Sequence, residues 1–348
     1  MNNIEKRRGA GLILLLVFLL SGCNNQTEKN EYPFSLNDQT MGTSYSIKVS
    51  SLPSELPVEQ LKKEIQDSLT LINAQMSTYQ KDSELSLFNA SRSTEWQPVS
   101  EGLYKVVDSA KKISDLTHGA FDISVGPLVN LWGFGPDPMT FTAPAQELID
   151  QKKKQIGYKL IELRAKPLSI KKNIPELYID LSAIAKGYAV DQVGLLLEAH
   201  GITDYLVEIG GEIRLSGNNL NGTPWRIAIE KPTPEQRMIQ KIVPITNVAM
   251  ATSGDYRNFF EVDGVRFSHT IDPRTGRPIT HKLASVTVLR ETTMEADALA
   301  TAFMVLGPQD AFKLAEQEHI AALFIIKTEQ GFDEQATSAF SETIKVIP

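Results

Sequence analysis

Apolar and polar positions along the chain fall into a small set of periods. Thr43-Ser44-Tyr45-Ser46-Ile47-Lys48-Val49 alternates residue by residue and reads as a strand. Leu61, Ile65, Leu69, Ile72 and Met76 recur at helical spacing and predict an amphipathic helix over about 58–76. Ser100 is placed to cap a second helix carrying Leu103, Val106, Val107, Ala110 and Ile113, with Gly119 as its terminator. Pro144 sits near the start of a shorter helix, roughly 143–155. Strand-like segments follow at 158–163 and 177–181, then a helix from about 185 to 200 that stops at His200-Gly201. Short strands crowd the next stretch: Tyr205–Ile209, Ile213–Ser216, Arg226–Glu230, Val248–Ser253, and Phe259–Val262 turning through Asp263-Gly264 into Val265–Phe267. A helix near 294–306, another after Pro308 and a strand Ala322–Ile326 complete the set. No internal repeat is present, so a solenoid is excluded. Runs of strands and runs of helices, rather than a regular βαβ alternation, predict an α+β fold with an antiparallel-rich sheet core and packed helices. Nothing within 33–348 reads as a linker, and one large domain is expected there.

The N-terminal pattern is of another kind. Lys6, Arg7 and Arg8 precede the apolar run Leu12–Leu20, which is short for a bilayer span, and Leu20-Ser21-Gly22-Cys23 gives way at once to a polar stretch. Small residues before the chain's only cysteine resemble a bacterial lipobox. The expectation is a lipoprotein signal peptide over 1–22, lipidation of Cys23 and a flexible tether over 23–32. The protein would then be anchored at the cell membrane on its extracytoplasmic, periplasmic face. An uncleaved anchor with a free cysteine is the alternative. The net charge of −7 becomes −9 from Cys23 onward, because the leader carries Glu5 against three cations, and this acidity argues against nucleic-acid binding. One cysteine excludes an internal disulfide, a thiolate zinc cluster and a cysteine-ligated iron–sulfur centre.

Five scattered histidines form no HExxH pair, and neither a Walker A loop nor a G-x-S-x-G elbow is present. Gly133-Phe134-Gly135 runs into Pro136 and builds no dinucleotide fingerprint. A metal, if used, falls to oxygen ligands, which suits Mg²⁺. Asp297 and Thr301 stand four apart on one predicted helical face, where a carboxylate and a hydroxyl can address one cation; an aspartate in a helix's first turn is also favoured by the dipole alone. The segment Asp180–Asp191 ends a strand in a carboxylate and opens a helix with Lys186-Gly187. A lysine there is unfavourable unless an anion compensates, and helix starts accept phosphate; a solvated lysine is the plain alternative. His269 closes an alternating strand just before the turn Asp272-Pro273-Arg274-Thr275-Gly276, where side chains are often presented for function, although a lone histidine is also commonly structural. Gly210-Gly211 and His118-Gly119-Ala120-Phe121-Asp122 let backbone approach a planar ligand, or simply form turns.

Taken in order behind the lipobox, these segments resemble the ApbE family of FAD:protein FMN transferases. The matching stretches are Met41-Gly42-Thr43, Met76-Ser77-Thr78-Tyr79, Gly119–Pro127, Asp180–Asp191 and Glu208-Ile209-Gly210-Gly211-Glu212. They continue through Ala251–Tyr256, Ser268–Pro278 and Ala296–Gly307. The resemblance spans nearly the whole mature body. It implies an α+β architecture with a sheet core likened to the tunnelling fold. The implied reaction is Mg²⁺-dependent transfer of FMN from FAD to a threonine or serine hydroxyl of a partner protein, with release of AMP. Implied acceptors are flavin-bearing subunits of membrane redox pumps of the Na⁺-NQR and Rnf type, in which small residues surround the acceptor threonine.

Carried over position by position, the resemblance places FAD contacts at Met41, Tyr79, Ala120, Phe121, Asp122, Asp180, Lys186 and Ile271. It places metal ligands at Asp297, Thr301 and a backbone oxygen near Ala183. His269 falls at the implied base for the acceptor hydroxyl, with Lys186 and Asp180 as its catalytic companions. Where some members carry a carboxylate, this chain has Ala300. Tyr79 and Phe121 are suited to stack on a planar ring and equally suited to a core. Two rivals share the same residues: a Mg²⁺-dependent FAD pyrophosphatase with water as nucleophile, and a flavin-binding lipoprotein without catalysis.

Overall fold

Eight antiparallel strands lie side by side in chain order: Phe34–Thr40, Thr43–Val49, Tyr205–Ile209, Glu212–Ser216, Val248–Gly254, Leu283–Arg290, Ala321–Thr328 and Gly331–Ala336. The computed structural model describes residues 31–135, 143–233, 238–255, 259–262 and 265–345. The expected leader over 1–22, Cys23, the tether as far as residue 30, Tyr256 and the Asp263-Gly264 turn lie outside the described residues. From Tyr32 onward the chain clusters as one unit. No helix among the described residues is long and apolar enough to cross a membrane.

Two of the hairpins are closed by two-residue turns with positive φ. They are Met41-Gly42 at 50° and 74° and Gly210-Gly211 at 62° and 101°, the conformations whose twist matches that of the flanking strands. Strand alternation then sorts side chains between two layers. Ile213 and Leu215 join Met250, Leu289, Leu323 and Ile325 in an apolar layer shared with the Trp225–Glu230/Ile239–Ile245 hairpin and the Ser338–Lys345 helix. Glu212 and Arg214 alternate with those residues and reach side chains of the Ala185–Ala199 helix instead. By the same parity Ala251 and Ser253 face the Thr293–Leu306 helix.

The Thr293–Leu306 helix is buried on nearly every side, as a helix apolar all round must be, and the Ala185–Ala199 helix is buried mainly over its first half. They are locked to each other at their starts. A Cβ on Gly187 would stand 2.4 Å from the Thr293 carbonyl oxygen and 2.8 Å from Met294 Cα, so only glycine admits this approach. The Gly187 N–H donates to Asp297 Oδ2 at 3.1 Å. Asp191 accepts from the Thr293 and Met294 N–H groups, both at 2.9 Å, and the Thr292 hydroxyl accepts from the Glu295 N–H. Three otherwise orphaned amides of one helix are thereby satisfied, two of them from its neighbour.

The structure departs from the sequence reading at several elements. Residues 177–181 form no strand and join no ladder: Asn89 donates its Nδ2 to the Ile179 carbonyl and accepts the Ile179 N–H, both at 2.8 Å, doing with one side-chain amide what a neighbouring strand would do. The expected strand 158–163 is a 3₁₀ turn, Tyr158–Leu160, followed by the strand Ile161–Ala165, which pairs with Leu168–Lys172. The helix placed at 143–155 runs Gln146–Lys153. Asp297 stands beyond the first turn of Thr293–Leu306; the acid of that turn is Glu295, so the dipole does not account for Asp297.

Gly187→Ala should cost about 1–3 kcal/mol of stability, because the obstructing atoms are backbone and cannot step aside. Urea unfolding measures it, and an unchanged midpoint would contradict the close approach of the two helices.

Candidate functional site

The sheet's helix-facing side, the loop that leads into the Ala185–Ala199 helix and one face of the Thr293–Leu306 helix line a cavity of about 480 Å³. Tyr79, Ala120, Phe121, Asp122, Asp180, Ala183, Lys186, His269, Ile271, Asp297 and Thr301 all line it. Met41 lines an adjoining cleft of about 1000 Å³ whose wall shares Thr78, Tyr79, Ser182 and Lys186 with the first. Cys23 lies outside the described residues. Cavities of some hundreds of Å³ with a few convergent polar groups are the size and character of small-ligand sites.

The charged centre sits where the two helices meet. Lys186 Nζ lies 3.1 Å from Glu212 Oε1 and 3.6 Å from Asp297 Oδ2, and it approaches the Ser182 carbonyl at 3.4 Å. Asp297 and Glu212 are both buried. The anion that a helix-start lysine calls for is thus supplied by two carboxylates of the protein itself, and the solvated-lysine alternative does not hold. Burial opposes the charge on Lys186, but Asp297 and Glu212 outweigh it and hold the ammonium above the ordinary lysine range. Burial likewise pushes Glu212 up to about 8, with Lys186 pulling it down and Asp297 adding to the rise. Burial raises Asp297 too, against the pull of Lys186 and of the Gly187 N–H.

Oxygen donors gather beside this centre. Thr301 Oγ1 is 3.3 Å from Ser253 Oγ, and Ala183 lies in the same wall as both and as Asp297. Among the described residues no three His, Cys, Asp or Glu side chains converge to hold a metal. A cation here must therefore draw on a carboxylate, hydroxyls, backbone oxygen, water and the oxygens of a substrate, the mixture that suits Mg²⁺ and not zinc. Glu212 Oε2 is buried with no hydrogen-bond partner among the described residues. These residues fit such an ion. Ala300 is fully buried in the core and does not line the cavity, so the absent carboxylate leaves no gap in this oxygen cluster.

Other predicted residues divide by what their side chains already do. Asp122 is buried; its Oδ1 accepts from the Ser124 N–H and hydroxyl and its Oδ2 from the Tyr158 N–H, so the carboxylate shapes the loop that carries Ala120 and Phe121. Asp180 Oδ1 accepts from the Ser182 N–H and hydroxyl and shapes the approach to Lys186. Phe121 is 3% exposed and belongs to the core, whereas Tyr79 is 74% exposed at the junction of the two cavities. Of the two aromatics suited to stacking, Tyr79 alone has a face to offer. His269 follows the Val265–Ser268 strand, edge-on to Phe134 at 6.3 Å between ring centres. The next turn is firmly braced: Asp272 accepts from the Arg274 N–H and guanidinium, Trp132 Nε1 donates to the Gly276 carbonyl, and Lys153 donates to that of Arg274.

Glu212 and Ser253 fall within the matching motifs, but the sequence alone assigns neither a role. For Glu212 the signal is parity, a polar residue on the helix-facing side of a strand whose other side, Ile213 and Leu215, is apolar; Ser253 stands beside the equally polar Thr252, and parity does not mark it.

Comparison with known proteins follows the same lines. The ApbE family model matches residues 41–324. The FAD:protein FMN transferase of Vibrio cholerae serotype O1 is 49% identical over 327 residues, 94% of this chain and 96% of its own. That of Escherichia coli K12 is 43% identical over 299 residues, 85% of each. Among solved structures, the flavin transferase ApbE from Vibrio cholerae superposes with a TM-score of 0.83 at 48% identity, covering 89% of this chain and 98% of that one. The apo flavinyl transferase ApbE of Pseudomonas stutzeri gives 0.82 at 39% identity, covering 89% and 96%. The α+β fold with its antiparallel sheet is therefore the fold of these transferases, and with a family match running from Met41 to Phe324, the chain belongs to the ApbE family.

Proposed function

We infer that this chain is an FAD:protein FMN transferase that uses Mg²⁺ to move FMN from FAD onto a threonine or serine hydroxyl of an acceptor protein, releasing AMP. The observation that carries the reading is one wall that joins Lys186, Asp297, Thr301 and His269 with the exposed Tyr79, in a chain 49% identical to a transferase of that name. Its acceptors are expected among flavin-bearing subunits of Na⁺-NQR-type or Rnf-type membrane redox pumps, and its place at the membrane through a lipid on Cys23.

The chemistry asks little of covalent catalysis and much of charge. The acceptor hydroxyl oxygen attacks the phosphorus on the FMN side of the pyrophosphate, the anhydride P–O bond breaks, and AMP carries away the electron pair. Asp297, Thr301 and backbone near Ala183 would hold the cation, which when bound supplies Lewis-acid neutralisation of the phosphate oxygens. Lys186 provides a second, permanent positive charge at the same wall, in surroundings where water screens it poorly. Tyr79 offers a ring face for flavin at the junction of the cavities, and Met41 floors the cleft that receives the rest of the dinucleotide. His269, at the cavity wall, takes the hydroxyl proton as the new P–O bond forms.

Mass spectrometry of an acceptor fragment incubated with protein, FAD and Mg²⁺ tests the reading: one FMN is gained on a hydroxyl residue, and Asp297→Ala, still folded, loses this gain by about a hundredfold or more. FMN released just as fast without the acceptor would mark the protein as a pyrophosphatase instead. His269→Ala should retain FAD binding, followed by flavin fluorescence, while transfer slows about 10²–10⁴-fold; unchanged turnover would remove it as the base. Cys23→Ser should move the protein from the membrane to the soluble fraction, and unaltered fractionation would argue for an uncleaved anchor.

A further inference from the structure

The charged centre holds one more carboxylate than the reaction uses. Glu212 opens its strand immediately after the Gly210-Gly211 turn, with its side chain on the helix-facing side and 5% exposed. One oxygen meets Lys186 Nζ at 3.1 Å, inside hydrogen-bond range; the other is buried with no partner among the described residues. Among the described residues Lys186 is thus the cation bonded to this carboxylate. Asp297 stands further from the ammonium, at 3.6 Å, and its Oδ2 also accepts the Gly187 N–H.

This asymmetry matters because Asp297 is wanted twice. Lys186 and a divalent cation are both attracted to it, and where water is scarce two cations on one carboxylate exclude each other. We propose that Glu212 is a positioning residue: it holds the Lys186 ammonium off Asp297, so that the aspartate stays open to the metal while the lysine faces the substrate's phosphates. The assignment rests on the cation reading given above.

Without the Glu212 charge, Lys186 has Asp297 as its remaining anionic neighbour in the centre and closes on it. Glu212 itself need not touch the metal for its loss to weaken metal binding. That separates this role from ligation and from simple loss of negative potential, because its effect passes through Lys186 and vanishes when Lys186 is gone.

Isothermal titration calorimetry of Mg²⁺ into the full-length, FAD-free protein reads this directly. Glu212→Gln is expected to bind Mg²⁺ about tenfold more weakly, the equivalent of one pK unit of competing interaction. The cycle is closed with Lys186→Met alone: adding Glu212→Gln to Lys186→Met is expected to change its Mg²⁺ affinity by less than about twofold. Affinity in Glu212→Gln within about twofold of the wild type overturns the assignment, and so does a tenfold loss caused by Glu212→Gln in the Lys186→Met background, since the carboxylate would then act on the metal itself. Should Glu212→Gln fail to fold, Glu212→Asp keeps the charge but draws it back from Lys186; it too is expected to weaken binding, and wild-type affinity in it overturns the role. A wild-type protein that binds no Mg²⁺ overturns the cation reading, and this inference with it.

Discussion

The contact on which the site depends is the one between two helix starts at Gly187. The missing side chain lets the Ala185–Ala199 helix lie against the Thr293–Met294 backbone, and the Gly187 amide reaches Asp297 directly. Asp191, farther along the same helix, caps the neighbour it touches, and Arg214 from the sheet pairs with Asp191 at 3.2 Å. The backbone of one helix thus sets the aspartate, and the first turn of that same helix carries the lysine. Lys186 and Asp297 keep their spacing because both are referred to one rigid junction, and strand parity brings Glu212 and Ser253 to it from the sheet.

Electrostatics at this junction runs against the character of the whole. The chain is acidic, at −7 overall, yet the reaction inferred for it handles a dinucleotide that is itself anionic. Long-range attraction therefore does little to gather the substrate, and the work falls to short-range groups shielded from water. Lys186 stays charged because two buried carboxylates insist on it, and Glu212 and Asp297 are in turn strained toward protonation by burial. Such mutual frustration is typical of sites prepared for a ligand rather than for stability, since an incoming phosphate and its cation relieve both sides of the imbalance.

Much of this was legible in the residues. Helical spacing located Val58–Met76, Glu101–Leu116 and Ala185–Ala199, and alternation located Thr43–Val49 and Tyr205–Ile209. Phe34–Thr40 was missed because four polar residues follow Leu36 and end its alternation, and Gly331–Ala336 because it is a largely exposed edge strand with little apolar pattern. The motifs Asp180–Asp191 and Ala296–Gly307 pointed to the same place, but the reason for Gly187 and Asp191 is tertiary: each answers to a helix a hundred residues away. Tyr79 and Phe121 looked alike as aromatics, and only packing told the exposed face from the buried one. Glu212 looked like the end of a glycine turn; its partner Lys186 comes from another element, and no local period records that.

The substitute strand made by Asn89 has a chemical consequence of its own. The side-chain amide must give a proton to the Ile179 carbonyl with one atom and take one from the Ile179 amide with the other. Deamidation would put an oxygen where the nitrogen stands, setting anion against carbonyl at the segment that delivers Asp180 and Leu181 into the Ala185–Ala199 helix. A change at a residue outside the cavity lining would thereby loosen the approach to Lys186.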